Sequence, residues 1–494
     1  MTCPGCGYAA PYHDEAGRTL VSLFGPLRYE RAYYYCRRCG QGYHPFDQHA
    51  GIPEHHITPA VERLGSLAGG VSPRFARGAD LLREMSGVRL SGSTLQRLTE
   101  DAGRRIAGLL GEGTTFGPRV AWDWQRHVIK LRADPGATKH YLFNGAAPKE
   151  GDVIRFPALA ATLKTIASKG SRAFYEGEIA DDMAKTLGSH RSFLTAQDFF
   201  RHRGEVVEPI STNYRGLDLV EIPPNAQGLA ALVMLNILEN FDIAALDPLG
   251  PDRFHLVLEA ARLGFAVRDT HIADEMHMRM PVADLLDKDF AKRLASLIDM
   301  KKRAKLPSAP APENDTVYLT VVDRDRKAVS FINSLYSSFG IGICTEKSGI
   351  MLTNRGACFT LEPDHPNTFG PDKRPMHTII PALAMRNGRC DMSFGVMGAH
   401  YQPMGHVQIV VNMLDYGMDV QQAIDAPRFF FEGQKTDVEH GTPAATIAGL
   451  KVRGHDVVSA TSPWGGAQTI KIDWDRGVLI GGSEPRKDGC ALGY

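Results

Sequence analysis

The chain has 494 residues, more than one ordinary hydrophobic core accommodates, so two or more folding units are expected. Hydrophobic residues make up 43% and charged residues 23%, the balance of a soluble globular protein, and the 56 basic and 56 acidic side chains cancel, which argues against a whole-chain electrostatic grip on nucleic acid. No apolar run approaches the ~18 residues of a membrane span. The opening MTCPGCGYAAPYHDEAG has neither the basic nor the apolar region of a secretory signal, so a cytoplasmic location is expected.

The chain begins with cysteines. Cys3, Cys6, Cys36 and Cys39 form C-x2-C … C-x2-C, and two such knuckles complete a tetrahedral zinc site, so residues 1–57 read as a zinc ribbon holding structural zinc. A disulfide framework and a metal-free remnant are the alternatives; the first is disfavoured because nothing marks the chain as exported. Arg28, Arg31, Arg37 and Arg38 interleave with Tyr29, Tyr33, Tyr34 and Tyr35. That mixture suits nucleic-acid contact, and equally a small sheet with packed tyrosines and solvated arginines. Residues 58–116 read as helices, with Ser91 or Ser93 as a cap before LQRLTEDAGRRIAGLL. The ribbon, its GQGYHPFD continuation and these helices resemble the N-terminal segment of an insertion-sequence transposase family. The resemblance implies DNA as a partner at most, since no transposase acidic triad follows. GEGTTFGPR, at 111–119, reads as a loop and a domain boundary, and the chain as a gene fusion. Cys344, Cys358, Cys390 and Cys490 are scattered singly and read as ordinary reduced residues.

From 117 to 315 the pattern is mainly helical. FPALAATLKTIASKGSRAFYEGEIADDMAKTL carries apolar residues at i, i+3, i+4. LDLVEIPPNAQGLAALVMLNILENF reads as a strand, a Pro-Pro turn and a buried helix, and FHLVLEAARLGFAVRDTHI as a long helix. His255, Glu259, Arg268 and Asp269 on that helix are expected to satisfy one another and the backbone. KKRAKLPSAPAPE, at 301–313, reads as an exposed loop. Thr316, Tyr318, Thr320 and Val322 then alternate as a strand, DRDRK turns, and 328–335 forms a second strand, giving a hairpin. A threonine leading a strand is commonly structural. If the peptide bond before it is cut, Thr316 carries its own base, the freed α-amine, beside its own hydroxyl.

DTVYLTVVDRDRKAVSFINSLYSSFGIGI resembles the processing site and first hairpin of the gamma-glutamyltranspeptidase family. PALAATL, AFYEGEIA, PPNAQG, HLVLEAARLGFAVRD, KRPMHTIIPAL, GVMGAHYQPMGHVQ, AIDAPR and GGSEPRKDGCALGY keep that family's order over 120–494. The resemblance implies an α+β fold, a four-layer αββα N-terminal-nucleophile hydrolase. Part of a large subunit would lie at 117–315 and the small, catalytic subunit at 316–494, both staying associated after self-cleavage between Asp315 and Thr316. The activity implied is hydrolysis or transfer of γ-glutamyl or related small acyl amides, such as glutathione, without a catalytic cofactor. Ser334 would hydrogen-bond the nucleophile, and the N–H groups of Gly398 and Ala399 would stabilise the oxyanion. On the substrate side the pattern departs from the family. Cys358 stands where an Asp binds the γ-glutamyl α-amine, Tyr336 where an Asn stands, and His377-Thr378 where a Ser-Ser pair stands. Arg355, His377 and Thr378 are the substrate-side candidates, Arg355 being either a carboxylate's partner or a structural ion-pair partner. The family's large subunit has a further N-terminal portion, with sheet strands and a carboxylate-binding arginine. Here the ribbon-bearing head stands in its place, which predicts uncovered sheet edges and apolar faces. His400, His406, His440 and His455 read as structural or surface residues. The alternative function is a zinc-ribbon DNA-binding fusion whose hydrolase-like part is inactive.

Overall fold

The computed structural model describes residues 2–4, 6–22, 25–45, 47, 92–305 and 315–493. Two units emerge: Met1–Thr115 with Asp152–Glu205 and Thr345–Ile350, and Phe116–Gly151 with Val206–Cys344 and Met351–Tyr494. The stretch read as one large-subunit segment, 117–315, is thus divided between them. The helices expected at 58–91, the Ser91 cap and the proline-rich stretch at 306–314 lie outside the described residues.

In the first unit β1 (Tyr12–Ser22) and β2 (Gly25–Tyr35) pair antiparallel, and β3 (Gly42–Tyr43) adds to β2. Helix α1 (Gly92–Glu112) packs on α2 (Pro157–Lys169). A small residue is required at the crossing, because a Cβ on Gly103 would sit 2.6 Å from that of Ala167. Helix α3 (Glu178–Ser189) contributes Asp182, which accepts from the N–H and hydroxyl of Ser348 at 2.8 and 2.7 Å.

The second unit is built on a six-stranded antiparallel sheet. Its strands are β4 (Ile210–Tyr214) and β5 (Leu217–Glu221), then, after the hairpin of β6 (Asp315–Val322) and β7 (Ala328–Tyr336), β8 (Ala382–Arg386), β9 (Arg389–Met397), β10 (Gly466–Asp473) and β11 (Val478–Ser483), in the order β11-β10-β9-β8-β5-β4. Helix α4 (Gly228–Leu238) is apolar on every side because every side is covered; all eleven of its residues are buried. It packs on the sheet, on α5 (Pro251–His271) and on α6 (Gln402–Leu414).

Strand β9 shows how the layers are arranged. Successive side chains of a strand point to opposite faces. Phe394 meets His406 of α6, and Val396 abuts Gly405. On the other face Ser393 takes a 2.6 Å hydrogen bond from Thr320, and Gly395 lies under the Tyr318 ring, where a Cβ would come within 2.4 Å of it. Helices therefore cover one face of the sheet and the β6–β7 hairpin the other. The hairpin's inner residues follow the expected alternation, with Thr316, Tyr318 and Val322 buried. Its outer face is apolar and exposed: Val317, Leu319, Val321 and Phe331 are 65, 44, 47 and 37% accessible. The fourth, helical layer expected over it is absent among the described residues. No described helix is long and apolar enough to cross a membrane.

Buried polar pairs tie down the C-terminal motifs. Arg428 meets Glu484 at 2.5 Å, and Arg486 meets Glu439 at 2.6 Å. His255 and His455, far apart in sequence, meet at 2.8 Å, with His255 also on the Asp299 carbonyl at 2.8 Å. Glu259 instead pairs with Arg262. Replacing Gly395 by valine should push the Tyr318 ring off the sheet. We expect an unfolding free energy lower by about 1–3 kcal/mol, measured in urea.

Candidate active site

Thr316 is the second residue of β6, and a register shift sets its surroundings. Asp315 is paired with Tyr336 and Val317 with Asn333, so Ser334 and Leu335 together face the single residue Thr316. This is a β-bulge on β7, the device that re-aims a side chain at a strand end. The Thr316 hydroxyl donates to Ser334 Oγ at 3.1 Å, and the Tyr336 N–H donates to the same oxygen at 2.9 Å. The Thr316 proton is thus directed at Ser334 and its lone pairs away from it. In the uncut chain Thr316 is buried, 6% exposed.

Tyr336 closes the bulge with φ of +81°, a backbone angle that costs a non-glycine residue free energy. Its hydroxyl lies 2.9 Å from His400 Nε2, and Arg268 Nη1 lies 2.9 Å from His400 Nδ1. A guanidinium only donates, so Nδ1 accepts, the imidazole proton sits on Nε2, and Nε2 donates to the tyrosine oxygen. The Tyr336 proton is left for the Cys358 sulfur beside it. Burial keeps that phenol protonated, and burial with the charges of Arg268 and Arg355 holds His400 well below the ordinary 6.5, hence neutral. Arg268 Nη1 also reaches Gln227 Oε1 at 2.9 Å, and Nε reaches Asp269 at 2.7 Å. The Gln227 amide then donates to the carbonyls of Thr378 and Ala399, both at 2.9 Å. One buried string thereby joins the end of β7 to the loop after β9.

That loop holds Gly398 and Ala399. Gly398 has φ of +131° and lies where a Cβ would be 2.9 Å from Gly465 Cα, so only glycine fits; Ala399 has φ of +47°. Among the described residues neither N–H has a hydrogen-bond partner. Two N–H groups on a sharp turn are the kind of donor pair that an oxyanion needs.

The substrate-side candidates come together at the end of β7. The turn after Leu352 is fastened to Leu335 by Thr353 Oγ1 at 2.9 Å and the Asn354 N–H at 3.3 Å. From it Arg355 lies over the Tyr336 ring, 4.8 Å from its centroid, and donates Nη1 to Thr378 Oγ1 at 2.7 Å. Its Nη2 is buried without a partner, as is His377 Nδ1. Burial and the charges of Arg355 and Arg374 push His377 down to about 4. Cys358 is buried beside Tyr336 and Arg355, and burial raises its thiol pKa. The Thr378 hydroxyl is occupied in positioning Arg355, and the His377 backbone bridges Asn225 and Gln227 at 3.0 Å each.

In the first unit the four N-terminal thiols converge within 4.8 Å of one another, with Cys3 to Cys39 at 3.6 Å and Cys6 to Cys36 at 3.5 Å. Tetrahedral Zn–S bonds place sulfurs about 3.8 Å apart, so the donor set fits zinc. The two knuckles are alike: Gly7 (φ +72°) and Gly40 (φ +71°) each return an N–H to the first cysteine's carbonyl, at 3.0 and 2.9 Å. The N–H groups of Cys39 and Arg38 help bring Cys36 down to about 6. The arginines and tyrosines between the knuckles are largely engaged internally. Arg18, Arg31 and Tyr29 meet on Asp47, and Arg38 stacks 3.5 Å from the Tyr8 ring centroid.

The sequence reading placed Thr316, Ser334, Arg355, His377, Thr378, Gly398 and Ala399, and the structure gathers them around β7 and the loops it touches. It missed the wiring. Arg268 meets Asp269 of its own helix and His400 is structural, as expected, and the two also link Gln227 to Tyr336, which was not foreseen. The signal available was that Gln227, Arg268 and His400 lie in three of the ordered motifs.

Arg268→Gln would leave the Gln227 and His400 acceptors without their donor. It should lower stability by about 1–3 kcal/mol. A buried histidine with a depressed pKa takes up its proton only on unfolding, so His400's contribution is full above about 6.5 and is lost as pH falls. Without the guanidinium that depression shrinks. The stability difference between about pH 7.5 and about pH 5.5, from urea titrations, should therefore be smaller in the variant than in wild type.

The gamma-glutamyltranspeptidase family model matches residues 105–494. The chain is 38% identical over 388 residues to a glutathione hydrolase-like YwrD proenzyme of Bacillus subtilis, covering 76% of this chain and 73% of that one. It is 34% identical over 452 residues to an oxamate amidohydrolase proenzyme of Klebsiella pneumoniae, covering 90% and 83%. Its structure is similar to a cephalosporin acylase from Bacillus halodurans, with TM-score 0.75 and 34% identity over 85% of this chain and 78% of that one. The ordered motifs, the threonine-headed hairpin and these matches agree that the chain belongs to the gamma-glutamyltranspeptidase family.

Proposed function

We propose that the protein is a self-processing amidohydrolase in which Thr316 first cuts its own chain and then serves as the acyl-accepting nucleophile. The observation that carries this reading is the Thr316–Ser334 hydrogen bond, made where the bulge of β7 faces the start of β6. In maturation the Thr316 hydroxyl attacks the carbonyl carbon of Asp315. The C–N bond gives way to an ester and frees the Thr316 amine; water then hydrolyses the ester, leaving the Asp315 carboxylate. In turnover the freed amine takes the hydroxyl proton as Oγ attacks the substrate amide, and that proton leaves with the departing amine. The N–H groups of Gly398 and Ala399 hold the oxyanion, Ser334 orients the hydroxyl, and water or an acceptor amine releases the acyl group. Arg355 and His377 face the acyl group, with Thr378 holding Arg355 in place. Two relatives are named for acyl amides other than glutathione, a cephalosporin and oxamate, which favours a small acyl amide over a strictly γ-glutamyl one.

In the purified protein, a denaturing gel should show two pieces, the smaller beginning at Thr316 by mass. Thr316→Ala should run as one uncut chain without amidase activity, and Thr316→Ser should still be cut. Identical patterns for wild type and Thr316→Ala would refute self-processing by this hydroxyl.

The four thiols of Cys3, Cys6, Cys36 and Cys39 are proposed to hold one structural zinc ion, joining the two knuckles across the small sheet. Metal analysis of protein purified under reducing conditions should find about one zinc per chain, falling toward zero in Cys36→Ser. Metal-free wild type would remove the claim.

A further inference from the structure

The turn that carries Gly398 and Ala399 is tied down at both ends, and its leading end is held by a buried pair that takes no part in the chemistry. Strand β8 pairs with β9 only as far as Ala382 and Phe394, so beyond that point the β8 side of β9 has no strand to hold it. There the Val396 N–H donates to His406 Nε2 of α6 at 3.2 Å. An imidazole nitrogen that accepts carries no proton, so the ring proton is on Nδ1, and Nδ1 donates to Glu221 Oε1 at 2.6 Å. Both side chains are fully enclosed. The Phe394 ring packs on the imidazole with 4.9 Å between centroids, which fixes the ring in place.

Glu221 ends β5 and is the root of the loop 222–227. Its side chain also touches the far end of that loop. A Cβ on Gly228 would sit 2.8 Å from Glu221 Cβ and 3.0 Å from Oε2. Beside Gly228 is Gln227, whose amide holds the Ala399 carbonyl at 2.9 Å, and the Tyr401 N–H holds the Gly398 carbonyl at 2.9 Å. The segment 396–399 is thus fastened through the Val396 N–H in front and through two carbonyls behind. Peptide planes fixed at both ends also fix where the Gly398 and Ala399 N–H groups point.

We propose that His406 is a positioning residue for the oxyanion turn, acting through the Val396 N–H, and that Glu221 acts through His406 by keeping the ring proton on Nδ1. The inference rests on the Thr316 reading above and goes beyond it by assigning what aims the donors. With the proton on Nε2 the ring would present a donor to the Val396 N–H, and two buried donors face to face leave both unsatisfied and force the strand end away. A displaced oxyanion donor costs rate in the chemical step and little in ground-state binding.

The processed wild-type protein is assayed with the γ-glutamyl, glutaryl and succinyl p-nitroanilides, and the fastest of the three is used for the variants, with rates taken per chain cut at Thr316. Glu221→Leu removes the acceptor for Nδ1. Expected is a kcat lower by at least about tenfold, with KM changed by less than about threefold. Glu221→Gln keeps an oxygen that accepts from Nδ1, and should recover kcat to within about threefold of wild type. Where Glu221→Leu does not fold, two polar variants of His406 decide. His406→Gln puts an oxygen in the place of Nε2 and keeps the acceptor for Val396, whereas His406→Asn reaches only toward Glu221; kcat should be at least about tenfold higher in the first. Wild-type kcat in Glu221→Leu, a Glu221→Gln as slow as Glu221→Leu, or equal kcat in the two His406 variants overturns the positioning role and leaves the Thr316 reading standing. A wild-type chain that is not cut, or is cut and hydrolyses none of the three anilides, overturns the Thr316 reading and this inference together.

Discussion

A single buried guanidinium sets the protonation pattern of the site. Arg268 sits near the end of α5 and is fully enclosed, and it can only donate. Its Nη1 faces two acceptors, Gln227 Oε1 and His400 Nδ1, and thereby fixes the direction of every hydrogen bond beyond them. Gln227 must turn its amide hydrogens to the carbonyls of Thr378 and Ala399; His400 must carry its proton on Nε2; Tyr336 must accept from it. Loops that diverge in sequence are locked to one another by a network with few alternative arrangements. Such a network is costly to leave half-satisfied, and Asp269 supplies the guanidinium's counter-charge at the exposed end.

Thr316 is placed by a different means, steric rather than electrostatic. Thr316 faces inward because the hairpin lies flat on the sheet, and it lies flat because β9 offers Gly395 and Ser393 to the Tyr318 ring and the Thr320 hydroxyl. The bulge opposite Thr316 then turns Ser334 Oγ toward it. One added methylene at Gly395 acts at a distance on the hydroxyl, through packing that has no slack. The outer face of the same hairpin carries Val317, Leu319, Val321 and Phe331 in the open, so among the described residues the strand that bears Thr316 is packed from one side only.

His377 and His400 are both neutral, because desolvation and the neighbouring guanidinium groups disfavour their protonation.

Much of this was legible in the chain itself. Alternation from Thr316 to Val322 gave the strand, its inward face and the hairpin, since side-chain period follows from backbone geometry alone. The spacing of Cys3, Cys6, Cys36 and Cys39 gave the knuckles, because C-x2-C fixes two thiols locally. The ordered motifs gave the family. The pairing of Arg268 with His400, the meeting of His255 with His455 and the bulge that brings Ser334 to Thr316 were not legible, whereas an uncovered apolar face was expected from the head that stands in place of part of the large subunit. Each depends on which residues distant in sequence become neighbours, and a one-residue register shift leaves no mark in composition or periodicity. Sequence by itself thus determined the local geometry and the kinds of chemical group available; tertiary structure alone decided which donor met which acceptor, because those encounters are selected by packing across the whole sheet.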